Sequence, residues 1–81
     1  MLTLYTKDFC PYCERAKQYL RNGNIPFQEV NLADNEEARN FLKAQGHKTV
    51  PQIYQDGKLF VEGGCNGLMS LTFDVIRSML S

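Results

Sequence analysis

The sequence predicts one α/β domain over residues 1–81, with a four-stranded mixed sheet and three helices in the order βαβαββα. Two strand-like segments at the start are each followed by a stretch of helical periodicity. An Asp-Gly pair then joins two further short strands, and a final amphipathic segment follows them. A chain of 81 residues buries only about 60% of its unfolded surface, which is enough for one thin core.

The first half of the chain reads as strand, helix, strand. Residues 2–6 alternate between apolar and polar side chains and are rich in strand formers. Cys13, Ala16 and Leu20 then fall on one helical stripe, which the Asn-Gly-Asn sequence at 22–24 ends. Residues 26–32 form the second strand. Because a helix lies between these two strands, we expect them to pair in parallel through a right-handed crossover.

The second half predicts a helix, a hairpin and a last helix. Asp34 is expected to cap the second helix with Glu37 three residues later, and Gly46 to end it. Strands at 50–55 and 58–62 are joined by Asp56-Gly57, a strong two-residue hairpin signal. The third helix is expected over about residues 66–80, with an apolar stripe of Leu68, Leu71, Val75, Ile76 and Met79.

Composition and charge exclude several classes of function. Nine basic residues balance nine acidic ones, so the basic footprint of a nucleic-acid-binding protein is absent. The longest apolar runs have three residues, against roughly 20 for a membrane span, and the first residues lack a signal-peptide pattern. Three cysteines, two of them close together, do not suit a secreted disulfide scaffold. We expect a cytoplasmic monomer.

The chemistry is expected at Cys10 and Cys13, which stand where the first strand meets the first helix. Pro11 suits the first helical position, and this places Cys10 at the N-cap beside the free amides of the first turn. Those amides, the helix dipole and Lys7 favour a thiolate, whereas an ordinary thiol is only a few per cent ionised at neutral pH. Cys13, one turn further in, is positioned to resolve a mixed disulfide formed at Cys10.

A structural zinc site is the alternative use of the cysteines. Such a site needs four ligands, typically from two close pairs. Beyond Cys10 and Cys13 the chain offers only Cys65 and His47, which stand far apart in sequence. We therefore expect no metal, and we expect His47 to be solvated.

Three motifs together resemble those of the dithiol glutaredoxins, members of the thioredoxin superfamily. These motifs are Cys10-Pro11-Tyr12-Cys13, Thr49-Val50-Pro51 and Gly63-Gly64-Cys65, and the resemblance spans about residues 2–68. It implies a thioredoxin-like fold with a cis peptide bond before Pro51, which turns the Val50 backbone towards Cys10. It also implies a thiol-disulfide oxidoreductase that uses glutathione to reduce protein disulfides and glutathione mixed disulfides.

The resemblance also implies where glutathione binds. Its γ-glutamyl carboxylate is expected on the amides of Cys65 and Asn66, and its glycine carboxylate near Lys7 and the second helix. The glutathione site that we expect on this basis consists of Lys7, Tyr12, Thr49, Val50, Pro51, Gly64, Cys65 and Asn66. Many relatives carry an aspartate where this chain has Asn66, which weakens one expected contact. Cys65 itself is expected to be a small packing residue.

Two other functions remain open. The first is a glutaredoxin-like redoxin that receives electrons from thioredoxin reductase, such as a donor to ribonucleotide reductase. The absence of an acidic residue at Asn66 keeps this function open. The second is an iron-sulfur carrier, in which Cys10 and glutathione from two chains hold a cluster. Pro11 argues against it, because cluster-binding relatives usually have a smaller residue there.

Overall fold

The computed structural model describes residues 1–81 and has a central sheet of four strands. The strand order is β2-β1-β3-β4; β1 and β2 are parallel, while β3 is antiparallel to both β1 and β4. The strands are β1 (Leu2–Thr6), β2 (Phe27–Asn31), β3 (Gln52–Gln55) and β4 (Lys58–Val61). The helices are α1 (Pro11–Asn22), α2 (Glu36–Ala44), α3 (Gly64–Met69) and α4 (Phe73–Leu80), with a 3₁₀ turn at Leu32–Asp34.

The predicted α/β fold and mixed sheet are confirmed, but four helices replace the expected three. The segment predicted as one last helix is interrupted between Met69 and Phe73. The Thr72 side chain accepts a hydrogen bond from the Val75 amide at 3.2 Å, which makes Thr72 the N-cap of a new helix. The apolar stripe therefore continues in space across two short helices.

The cap of α2 also differs from the prediction. Asn35, rather than Asp34, precedes this helix, and its side-chain oxygen accepts the Ala38 amide at 2.9 Å. Asp34 closes the preceding 3₁₀ turn. The far end of α2 is as expected, with Gly46 in the left-handed region at φ 83°.

The main core lies on the face of the sheet that α1, α3 and α4 cover. Its buried residues come from β1, β3, these helices and, for Ile25, the loop between α1 and β2: Leu2, Leu4, Ala16, Leu20, Ile25, Ile53, Cys65, Leu68 and Ile76. A smaller aromatic cluster joins the sheet to α2, in which the Phe41 ring lies 5.9 Å from Tyr5 and 5.2 Å from Tyr54. None of the helices combines the length and apolar character needed to cross a membrane.

Candidate active site

Cys10 occupies the N-cap of α1, as the sequence predicts. Its sulfur accepts a hydrogen bond from the Cys13 amide, with an N···S distance of 3.1 Å. Pro11 fills the first helical position, where its missing N–H leaves no unpaired donor. The Cys10 sulfur therefore lies at the positive end of the helix dipole, where a thiolate is stabilised.

Cys10 and Cys13 are joined by a disulfide, so the structure shows the oxidised pair. Cys10 keeps 9% of its surface exposed, whereas Cys13 is fully buried. In this oxidised state only the Cys10 sulfur can therefore be reached by an incoming thiolate without a rearrangement of the chain. The division of roles expected for the two thiols stays a prediction, and this difference in exposure is its physical basis.

The loop before β3 brings backbone groups to Cys10. The Val50–Pro51 peptide bond is cis, as the resemblance implies, and the Val50 carbonyl oxygen lies 3.9 Å from the Cys10 sulfur. Gln52 is buried at the start of β3, and its side-chain amide donates to the Thr49 carbonyl at 2.9 Å. This hydrogen bond holds the loop against the sheet beside the disulfide.

A cleft of about 480 Å³ lies alongside this loop. Seven of the eight residues predicted to bind glutathione line it: Tyr12, Thr49, Val50, Pro51, Gly64, Cys65 and Asn66. The structure thus brings together three motifs that are more than 50 residues apart at their extremes. The Tyr12 ring is half-exposed, and the Arg15 guanidinium lies 5.4 Å from its centroid.

Lys7, the eighth predicted residue, lines a second cavity of about 360 Å³ that shares His47, Thr49 and Val50 with the cleft. Three further cations line this cavity, namely Arg39, Lys43 and Lys48. No carboxylate lines it, and none of its four cations takes part in a salt bridge. An anionic group would therefore be attracted to this end of the site.

The glycine pair closes the other side of the cleft. Gly63 and Gly64 both have positive φ, and a Cβ at Gly64 would lie 2.9 Å from the Pro51 carbonyl oxygen. A side chain at position 64 would clash with the loop, so the close approach of the two backbones requires glycine here. Cys65 follows them, buried and free, and burial raises the pKa of its thiol. Cys65 therefore stays protonated at neutral pH.

The sequence did not predict several residues that line the cleft. His47 was expected to be solvated, but it is half-buried, and its Nε2 lies 2.6 Å from the Tyr54 hydroxyl. Gln45, Gln52, Leu59 and Glu62 also line the cleft, and Glu62 is its only carboxylate. Gln52 and Glu62 adjoin two of the three motifs in the sequence, and this adjacency was the only available signal. No group of three or more His, Cys, Asp or Glu side chains is placed to hold a metal ion.

Comparison with known proteins identifies the family. The sequence matches the family model for glutaredoxin over residues 2–60. It is 42% identical over 69 residues to glutaredoxin 3 of Escherichia coli strain K12, which covers 84% of this chain and 81% of that protein. This chain belongs to the glutaredoxin family. Membership establishes thiol-disulfide oxidoreductase activity in general, and the Cys10–Cys13 pair fits the family's dithiol motif.

Solved glutaredoxin structures have the same fold. A buckwheat glutaredoxin in complex with glutathione superposes with a TM-score of 0.77 at 27% identity, covering 98% of this chain and 74% of that one. Glutaredoxin 1 of Francisella tularensis, complexed with cacodylate, gives a TM-score of 0.73 at 28% identity, covering 94% of this chain and 95% of that one. The thioredoxin-like fold expected for this glutaredoxin is thereby confirmed.

Proposed function

We propose that this glutaredoxin uses glutathione to reduce protein disulfides and glutathione mixed disulfides, with Cys10 as the nucleophile and Cys13 as the resolving thiol. Two observations carry the proposal: the Cys10 sulfur lies 3.9 Å from the Val50 carbonyl oxygen, and Val50 and the glycine pair line the same cleft. The presence of glutathione on the related buckwheat protein supports it. Disulfide-containing proteins such as ribonucleotide reductase are candidate substrates, and the need for reduced glutathione suits the cytoplasm.

The reaction follows from the positions of the two sulfurs. In the reduced protein the Cys10 thiolate attacks a substrate disulfide, which forms a mixed disulfide and releases one substrate thiolate. Cys13 then loses its proton and displaces the second substrate thiolate, which leaves the Cys10–Cys13 disulfide seen here. Two glutathione molecules return two electrons and become glutathione disulfide. With a glutathione mixed disulfide, a second glutathione can resolve Cys10 directly.

The cleft and the adjoining cavity match the charges of glutathione. The cations around Lys7 suit the glycine carboxylate, and the backbone amides at Gly64, Cys65 and Asn66 suit the γ-glutamyl carboxylate. Asn66 carries no charge for the ligand's ammonium group, but Glu62 lines the same cleft. We therefore assign the ammonium contact to Glu62. Tyr12 and Val50 would then flank the thiol of the tripeptide, next to Cys10.

A coupled assay tests the electron donor. The mixed disulfide of glutathione and 2-mercaptoethanol is the substrate, and the reductant is either glutathione with glutathione reductase or thioredoxin reductase, each with NADPH. We expect turnover with glutathione and a rate at least tenfold lower with thioredoxin reductase. The reverse preference would overturn the proposal in favour of the redoxin that thioredoxin reductase reduces, which the uncharged Asn66 would then explain.

A matched pair of variants tests the site itself. Glu62→Gln is expected to raise the KM for the mixed disulfide two- to fivefold, because an exposed ion pair contributes up to about 1 kcal/mol. Glu36→Gln, on α2 and outside the cleft, is the control and should leave KM unchanged. Equal KM values in the two variants would show that Glu62 does not contact the ammonium group of glutathione.

A further inference from the structure

Phe9, the residue immediately before Cys10, has an unusual backbone conformation. Three residues other than glycine have positive φ: Phe9 at 57°, Asn24 at 54° and Asp56 at 51°. Asn and Asp tolerate this left-handed region, because their short polar side chains bond locally. A bulky aromatic residue does not, so Phe9 is the one outlier of the three. Such outliers cluster at functional sites.

The Phe9 side chain makes no packing contact that would offset the cost of this conformation. It is 99% exposed, whereas every other exposed large apolar residue of the chain is between 37% and 66% exposed. No aromatic ring stacks on it, and no cation lies over it. Burial and packing therefore explain neither the residue type nor its conformation.

The turn that presents Phe9 is held on both sides. Before it, the Asp8 carboxylate accepts a hydrogen bond from the Asn31 side-chain amide at 2.9 Å, which ties the turn to the end of β2. After it, Cys10 is fixed as the N-cap of α1. The phenyl ring thus stands in solvent on a fixed segment of backbone, one residue from the nucleophile.

We propose that Phe9 is a docking contact for the polypeptide around a substrate disulfide, where it packs against an apolar side chain next to the substrate cysteine. This inference rests on the proposed reduction of protein disulfides and specifies the substrates that this site prefers. Phe9 directly precedes Cys10, and the half-exposed Tyr12 follows Cys10 two residues later. A substrate segment that places its cysteine on Cys10 must pass beside these rings, and a phenyl ring gains from contact with an aliphatic side chain.

The test compares two peptide substrates in a single turnover without glutathione. Each substrate is a pair of identical peptides joined by one disulfide and labelled with a fluorophore and a quencher. In one pair leucine flanks the cysteine on both sides, and in the other serine does. Pre-reduced protein is mixed with each pair, and the second-order rate constant of peptide release is measured. We expect a leucine-to-serine ratio of about ten, which is equivalent to about 1.4 kcal/mol.

Three variants separate docking from other roles of the turn. Phe9→Asn suits the left-handed backbone, so the protein stays folded, and the ratio should fall to within twofold of one. Phe9→Tyr keeps the ring and should keep the ratio. Met79→Asn changes a half-exposed apolar residue on α4 and should also keep it.

Two results would overturn the inference. One is a leucine-to-serine ratio near one in the unmodified protein, and the other is an unchanged ratio in Phe9→Asn. If that ratio is unchanged because both rates fall equally, Phe9 positions Cys10 instead of contacting the substrate. Because no glutathione is present, the ratio does not depend on which electron donor restores the protein. A failure of glutathione-dependent turnover in the coupled assay would therefore leave this result standing.

Discussion

The two active-site sulfurs differ because of the residues immediately around them. Cys10 is partly exposed and accepts an amide hydrogen bond at the start of α1, while Cys13 is buried one turn further along. On our proposal the first environment favours a thiolate and admits a substrate, and the second shields the resolving thiol until a mixed disulfide forms nearby. Cys65 shares burial with Cys13 but lies in a different helix, and no sulfur of the pair bonds to it.

Replacing each cysteine with serine should separate their roles. Cys10→Ser is expected to abolish all reductase activity, because a hydroxyl group cannot replace a thiolate in disulfide exchange. Cys13→Ser should retain activity on glutathione mixed disulfides and lose most of its activity on protein disulfides. Both substrates are measured for both variants, with Cys65→Ser as the control, which should remain active on each. Equal losses on the two substrates in Cys13→Ser would contradict the assigned roles.

At the scale of elements, the sequence predicted the order of strands and helices but not all of their ends. Periodicity located β1 and α1, because each repeats a local pattern, and the Asp56-Gly57 turn signal located the hairpin. The break before Phe73 was missed, since the apolar stripe runs on through it and only the Thr72 cap marks it. Glu62 and His47 were missed because their place in the site depends on the pairing of distant strands. The three motifs were predictable because the family resemblance already links them.

The corrected cap of α2 gives a test of that helix end. Asn35→Ala should lower the free energy of unfolding by about 1 kcal/mol, because the Ala38 amide loses its partner. In a domain of this size that corresponds to a fall in Tm of roughly 4–8 °C. Asp34→Ala is the matched control and should change Tm much less, since its side chain caps nothing. Thermal unfolding of both variants measures the difference. A larger fall in Tm for Asp34→Ala would show that Asp34, as the sequence predicted, caps this helix.

A polar network connects β1, β2 and α1 beneath the active site. The buried Thr6 hydroxyl donates to the Glu29 carboxylate at 2.7 Å, and the Lys17 ammonium lies 3.1 Å from the same oxygen. The Thr6 hydrogen bond, with a further contribution from Lys17, lowers the pKa of Glu29 in the folded protein. The associated stability is therefore complete above the unfolded-state pKa of Glu29 and is lost as the pH falls through its folded-state pKa.

Glu29→Gln should make stability less dependent on pH in acid. The variant is expected to unfold more easily than the unmodified protein at neutral pH, by less than about 1 kcal/mol, because the Glu29 side chain is 34% exposed. The difference in the free energy of unfolding between the two proteins should vanish as the pH falls and Glu29 becomes protonated. Urea unfolding at a series of pH values measures this, with the cleft residue Glu62→Gln as control. A difference that stays constant with pH would show that the charge of Glu29 does not stabilise the fold.

In the molecule as a whole, the active site lies apart from α4, which helps to stabilise the fold. The disulfide, the cleft and the cationic cavity lie where α1 and α3 begin and where the loop enters β3. The last helix is tied to the other end of α1: Arg77 donates to the Gly23 carbonyl, and the Phe73 ring lies 4.7 Å from Tyr19. No residue of α4 lines the cleft or the cavity beside it. Changes in α4 should therefore alter stability without altering substrate binding.

Ile76 offers the sharpest test of this separation, because it is fully buried in the core. Ile76→Val removes one methylene and should lower stability by about 0.5–1.5 kcal/mol, while Ile76→Ala should cost about 2–5 kcal/mol. The larger loss is a substantial part of the few kcal/mol that hold a domain of this size together. Well below the Tm of each variant, the KM for a glutathione mixed disulfide should equal that of the unmodified protein. A KM that rises in step with the loss of stability would mean that α4 helps to shape the cleft, and that the core transmits its packing to the active site.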